Sequence, residues 1–435
     1  MLSKIVRLHP WTDVAGSLLA CVVVFACASA RAEASLKDAF DSGKPIIDLR
    51  LRYETVDQSN RTDDANALTL RARLGYQSGS YHGFSALADF DFVQHLGGHA
   101  YCDTVSDCAL ATKYPVVPDP DLTALNRLQL GYAFALAAPG TNDTTITAGR
   151  QRIAFSDQRF VGNVAWRQHE QTFDAISVVN TSLPKTTLTY AYIGQVNRVF
   201  GERSVTQSGY FDSHSHLVNA VYSGLLPYLR LEAYAYLLDL RQAPALSTST
   251  YGLRGEGRYE IAPGLVATLN AAYARQSDHA KNPFSIGLDY WSIEGGASYR
   301  GFSLGLGDEA MRGDGAVGFS TPLATLHAFD GWADVFLTTP VNGIDDFYGK
   351  AGYSFAAAPL FANVSASVIY HDFSAEHITA DYGNEWDAIV EARLDDNVTF
   401  GVKYAGYRSG KDLPIGAQAV RFDKTIAWVY AMYRY

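Results

Sequence analysis

The chain has 435 residues, a formal net charge of -10, 48% hydrophobic residues and 13% aromatics led by 27 Tyr, with a mean hydropathy of -0.06. That average is too polar for a bundle of membrane helices, and the acidic balance offers no basic surface for nucleic acid. No linker, low-complexity tract or composition shift divides the chain after its N-terminus, which argues for one continuous domain.

At the N-terminus, Lys4 and Arg7 precede an apolar stretch over 14–28 and a small-x-small site at Ala30-Arg31-Ala32. These features predict a secretory signal over 1–32, cleaved after Ala32, with 33–435 as the mature domain. Cleavage removes Cys21 and Cys27 and leaves Cys102 and Cys108 in one polar connector of an exported chain, the setting for a local disulfide.

From residue 46 onward the chain alternates. In 68–77, Leu68, Leu70, Ala72, Leu74 and Tyr76 fall on one face and Thr69, Arg71, Arg73, Gly75 and Gln77 on the other, the period of a strand. Eighteen such segments follow one another, near 46–56, 68–77, 84–93, 125–135, 144–153, 172–179, 186–196, 217–222, 229–240, 251–260, 265–275, 290–299, 302–310, 347–355, 363–372, 386–394, 398–407 and 425–435. Even-numbered segments end in short turns, as at 78–83, 262–264 and 300–301, whereas odd-numbered ones run into longer connectors, among them 94–123, 154–171, 197–216 and 311–345. No helical layer is available to cover so many strands, so lipid is the simplest cover. The expected fold is all-β: a transmembrane, antiparallel, up-and-down barrel of eighteen strands, or sixteen, with short periplasmic turns and long extracellular loops.

Near the bilayer centre a charge on the lipid face costs about 2 to 4 kcal/mol for Arg or Lys, so the charged faces must look inward. This assigns Asp48, Arg50, Arg52, Glu54, Arg71, Arg73, Asp89, Asp91 and Arg127 to a wet, ionic lumen, wide enough at this strand number to act as a channel. Arg150 and Arg152 share a face with Ile146 and Ala148, which predicts a bulge or a mixed lining in the fifth segment. The aromatic segment 311–345 and the segment 154–171 exceed hairpin length, and one or both are expected to fold into the lumen or over its mouth, the former with a short amphipathic helix. His214 and His216 lie in what reads as a polar loop and are taken as solvated, and the acidic stretch 57–64 lacks the glycine and terminal glutamate of a calcium loop. No metal or cofactor is expected. Neither Gly-x-Ser-x-Gly nor a Ser–His arrangement marks an enzyme.

Several blocks resemble the bacterial outer-membrane alginate-export family: Gly149-Arg-Gln-Arg-Ile153, Asp157-Gln-Arg-Phe-Val-Gly-Asn163, Trp166-Arg-Gln168 and Gln171-Thr-Phe-Asp-Ala175, then Thr321-Pro-Leu-Ala-Thr-Leu-His327, Phe329-Asp-Gly-Trp-Ala-Asp334 and Phe336-Leu-Thr-Thr-Pro340. Asn197-Arg-Val-Phe-Gly201 and Ser215-His-Leu-Val-Asn-Ala220 agree with it. The resemblance implies a monomeric eighteen-stranded porin whose arginine-lined lumen passes an anionic polysaccharide or smaller anionic solutes, embedded among outer-membrane lipid and lipopolysaccharide and served by a periplasmic export scaffold. It places Arg150, Arg152, Arg159 and Arg167 in motif positions, beside Arg50, Arg52, Arg71, Arg73 and Arg127 on the wall. The same arginines read equally as charge ladders with Asp48, Asp89 and Asp91 that brace the wall. A general or small-solute uptake porin, and an occluded structural or surface-binding barrel, are the alternatives.

Overall fold

Alternation along the chain becomes a single closed sheet in the computed structural model, which describes residues 35–105, 113–137, 141–358, 360–411, 413 and 420–435. The expected signal over 1–32 and Cys108 lie outside these residues; Cys102 is disulfide-bonded. A six-residue helix, α1 (Leu36–Asp41), capped by Ser35, precedes the first strand.

The strands are β1 (Lys44–Gln58), β2 (Ala65–Gln77), β3 (Phe84–His95), β4 (Leu122–Phe134), β5 (Thr144–Gln151), β6 (Thr172–Asn180), β7 (Thr186–Asn197), β8 (Tyr210–Leu226) and β9 (Leu229–Leu237). They continue as β10 (Thr248–Ala262), β11 (Leu265–Asp278), β12 (Gly287–Tyr299), β13 (Phe302–Met311), β14 (Ile344–Ala358), β15 (Phe361–Ser374), β16 (Asp381–Arg393), β17 (Val398–Ser409) and β18 (Lys424–Arg434). Each pairs antiparallel with its neighbour in sequence, and β1 pairs with β18 over Asp48↔Arg434 to Gln58↔Lys424, so the sheet has no free edge. The turn between β12 and β13 is Arg300-Gly301, both at positive φ (49° and 89°) as a two-residue hairpin requires.

Side-chain exposure follows the predicted faces. In β1, Leu49, Leu51 and Tyr53 are exposed while Arg50, Arg52 and Glu54 are buried, and in β3 Phe84, Phe90 and Phe92 are exposed while Asp89 and Asp91 are fully buried. Exposed aliphatic and aromatic side chains continue around the wall, among them Leu253, Leu269, Leu304, Leu306, Phe347, Val390 and Val402. An apolar outside and an ionic inside are stable only with lipid outside.

The interior is occupied by chain. Residues 152–171, between β5 and β6, and 312–343, between β13 and β14, turn inward and add Val161, Phe319, Leu323, Ala333 and Phe336 to the buried apolar cluster that the strands line. The amphipathic helix expected over 311–345 is absent; the segment holds a three-residue 3-10 turn, Leu326–Ala328. Glycines at 313, 315, 318 and 331 and prolines at 322 and 340 interrupt it, and its backbone bonds close short turns, such as Ala324 N–H to Thr321 O at 3.1 Å, instead of a helical ladder. A second difference concerns β8, which starts at Tyr210, so His214 and His216 belong to a strand.

Candidate permeation site

The two inward segments cross at Val161 and Leu323, which form a parallel bridge. Gly162 N–H donates to Leu323 O at 2.8 Å, and Gln171 Nε2 donates to Gly162 O at 2.9 Å and to Leu323 O at 3.0 Å. Thr325 Oγ1 accepts from Val164 N at 3.0 Å and donates to Gln158 Oε1 at 2.7 Å. A Cβ on Gly162 would stand 2.3 Å from Thr325 Oγ1, so only glycine permits this crossing.

Residues 165–170 then run along the inner wall and are met by one strand after another. From β1, Arg50 Nη1 donates to Trp166 O at 2.8 Å and its Nη2 to Ala165 O at 3.1 Å, and Arg52 Nη1 donates to Trp166 O at 2.6 Å. From β2, Thr69 Oγ1 accepts from Gln168 Nε2 at 2.8 Å. From β3, Asp91 accepts from His169 Nδ1 at 2.9 Å, and from β4, Asn126 Nδ2 donates to Glu170 at 2.7 Å. Long donors from the wall thus satisfy backbone carbonyls that water would otherwise solvate.

Ion pairs fix the charges. Arg73 holds Asp91 with two nitrogens, at 2.6 and 2.9 Å, and Glu170 at 2.8 Å. Arg52 pairs with Asp119 of the β3–β4 loop, Arg71 with Asp48, and Arg127 with Asp89. Arg167 gathers Glu54 at 3.2 Å, Asp334 at 2.7 Å and Asp119 at 3.8 Å, while Arg159 joins Asp330 at 2.8 Å to Glu309 of β13. Burial alone would raise the Asp119 and Glu170 carboxyls. Their arginine partners outweigh it and hold both below the usual carboxylate range.

Beside them, burial holds His327 near a pKa of about 3, against the pull of Asp334. A neutral imidazole fits its partners: Nδ1–H donates to Asp334 at 2.8 Å and Nε2 accepts from Lys403 Nζ at 2.7 Å. The Lys403 ammonium lies 3.7 Å from the Trp332 ring and 4.4 Å from that of Trp166, a cation–π seat.

Of the nine arginines singled out in the sequence, all but Arg50 have a carboxylate within ion-pairing distance, and Arg50 is buried against carbonyls. Arg50, Arg52, Arg71, Arg73, Arg159 and Arg167 converge on the inward segments. Arg150 does not. The register sets it opposite Leu128, which is 54% exposed, and opposite Asp174; cross-strand partners share a face, so Arg150 stands on the outer side, held by Asp174 at 2.7 and 3.0 Å. The pore-lining role expected of Arg150 is thereby corrected: the register turns its side chain to the face that carries Leu128.

The surface left to water is graded. Arg152 is 36% exposed over a Glu170 at 1%, and Arg230 is 33% exposed over a Glu232 at 3%. Lys350 is 41% exposed against 19% for Glu294, whereas Arg254, at 13%, reverses the order against Asp157 at 34%. Arg230, Lys350 and Lys403 were not singled out in the sequence. The alternation around them, such as Phe400, Val402 and Tyr404 outward with Lys403 between, carries the same signal as in β1. Asp119, Asp334 and His327 lie in irregular loops, where no periodicity marks them.

No protein-family model matches the chain. No curated protein matches it either. Among solved structures, the barrel is similar to OccAB4 of Acinetobacter baumannii, with a TM-score of 0.67, 15% identity and coverage of 90% of this chain and 98% of that one. It is similar also to OccAB2 of the same organism, at 0.68, 14%, 91% and 99%, and to Pseudomonas aeruginosa OpdK with vanillate, at 0.67, 14%, 91% and 99%. These are Occ/Opd outer-membrane porins, and the shared architecture is the closed eighteen-stranded barrel. At these identities the likeness is one of fold, the closed eighteen-stranded antiparallel barrel; the alginate-export resemblance has no counterpart among these structures.

Proposed function

We propose that the protein is a passive, monomeric outer-membrane channel for small anionic solutes, with small carboxylates as the leading class. The observation that carries this reading is the seating of 152–171 and 312–343 inside the barrel, crossed over each other and fastened to wall and neighbouring loop by buried ion pairs. A lumen narrowed in this way suits a small molecule. Passage of an anionic polysaccharide, the finer expectation from the resemblance, requires those segments to stand aside against their fastenings.

In this reading the sequence-marked arginines divide their labour. Arg50, Arg52, Arg71, Arg73, Arg159 and Arg167 hold the constriction, while Arg127, Arg152, Arg230 and Lys350 present cationic ends whose carboxylates sit deeper. Such a surface replaces part of the hydration of a passing carboxylate, yet the buried counter-charge keeps the attraction weak enough for release. OpdK, with the same fold, was crystallised with vanillate, an aromatic carboxylate.

The test is flux into proteoliposomes of a small aromatic carboxylate, a neutral sugar of similar size and a long uronate oligomer. The expected order is carboxylate ahead of sugar, with the oligomer excluded. Oligomer flux comparable to that of the carboxylate would favour export, and absence of all flux would favour an occluded barrel.

A further inference from the structure

On the outer face of β8, polar groups stand where lipid-facing residues are expected. Phe211, Ser213, Ser215, Leu217 and Asn219 are buried on the inner side, so His214 and His216 project outward in line with the exposed Val218 and Tyr222. From the adjacent β7, Tyr192 Oη meets His214 Nδ1 at 2.6 Å and Tyr190 Oη meets His216 Nδ1 at 2.9 Å. Arg241, from the β9–β10 loop, bonds the remaining His214 nitrogen.

Depth follows from counting. A tilted strand crosses the hydrocarbon in about 9 to 11 residues, so an apolar band that begins at the periplasmic-side Tyr222 ends near Asp212. Arg241, whose backbone N–H donates to Asp212 O at 3.0 Å, therefore sits at the headgroup level of the outer leaflet, with His214 and His216 in the upper part of the apolar band beneath it. Next to them is a cleft of about 490 Å³ lined by Asp239, Leu240, Arg241, Pro244 and Lys281. Its two loops are tied by Asn282 Nδ2, which donates to Ala245 O at 3.1 Å and Ser247 O at 2.8 Å. Among the described residues no carboxylate is ion-paired with Arg241 or Lys281, in contrast to the lumenal arginines. Two acids lie close by: Asp212 accepts from Gln242 Nε2 at 2.8 Å, and Asp239 lines the cleft.

We propose that this patch binds the phosphorylated sugar headgroup of an outer-leaflet glycolipid, with Arg241 and Lys281 on the phosphate, Asp239 accepting from sugar hydroxyls, and the Tyr190–His216 and Tyr192–His214 pairs beneath the headgroup. A guanidinium and an ammonium that no carboxylate neutralises suit a phosphate, and the position is continuous with the lipid face. The proposal rests on the outer-membrane reading but not on conductance.

The experiment uses the full-length protein in detergent, with lipid A as probe and native mass spectrometry as readout. Wild-type protein is expected to retain lipid A, and Arg241→Ala with Lys281→Ala to retain at least ten-fold less. Arg408→Ala, at another rim position paired with Asp423, should leave retention unchanged. Heat-resistant gel migration checks that each variant is folded, and unchanged conductance of the double variant separates this site from the channel. Equal retention by the double variant, an equal loss in Arg408→Ala, or displacement of lipid A by inorganic phosphate would each overturn the proposal.

Discussion

Arg167 joins three carboxylates, Glu54 of β1, Asp119 of the β3–β4 loop and Asp334 of the long inward segment, and all four side chains are buried. Removing one member of such a set leaves uncompensated charge in a poorly solvated place, at a cost of about 3 to 5 kcal/mol. Arg167→Ala should therefore lower the thermal unfolding midpoint and make single-channel current noisier, read by heat-modified gel mobility and bilayer recording; a wild-type midpoint with quiet current would refute this role. His327 gives a prediction in pH. Its folded pKa is pushed down to about 3 by burial, so between that value and the ordinary His value near 6.5 the unfolded chain binds a proton that the folded protein does not. Stability from this group is complete above about pH 6.5 and falls by roughly 1.4 kcal/mol per pH unit as pH drops toward the folded value. Asp334, held below its usual range chiefly by His327 against the opposing effect of burial, adds a loss only at lower pH still. Melting at pH 5 should lie below that at pH 7, and His327→Gln should shrink the difference; an equal pH difference in the variant would remove His327 as its cause.

At the scale of elements, the crossing of the two inward segments at Gly162 is the joint that fixes the constriction. Gly162→Val places methyl groups where Thr325 Oγ1 and the Gln158 side chain stand, so the segments should separate. Arg159 and Arg167 would then become open to trypsin and conductance should rise; a protected loop with wild-type conductance would show that the joint adapts. Strands were legible in the sequence because one greasy and one ionic face repeat with period two, and the register of β1 on β2 keeps the charged rows on one side. The loop conformations were not, since they are set by partners far along the chain: Arg50 reaches carbonyls at 165–167, and Arg159 reaches Asp330 and Glu309. The upper half of β8 escaped for another reason. Its outward residues, His214 and His216, are themselves polar, so the alternation there reads polar on polar.

For the whole molecule, closure of β18 on β1 turns eighteen modest strands into a wall that encloses most of its buried charge pairs in one interior. The arginines that sequence patterning marked are mostly engaged with carboxylates or carbonyls, as the charge-ladder reading expects, and this leaves Arg152 among them, with the unmarked Arg230 and Lys350, as cations a solute would meet. Field selectivity and loop anchoring are thereby separated onto different residues, which makes them separately testable. The most direct test is the reversal potential of single channels in a planar bilayer under a salt gradient. A steady anion-preferring current is expected, with the preference reduced in a variant carrying Arg152→Ala and Arg230→Ala. A cation preference in the wild type, or an anion preference that survives both substitutions, would contradict the account.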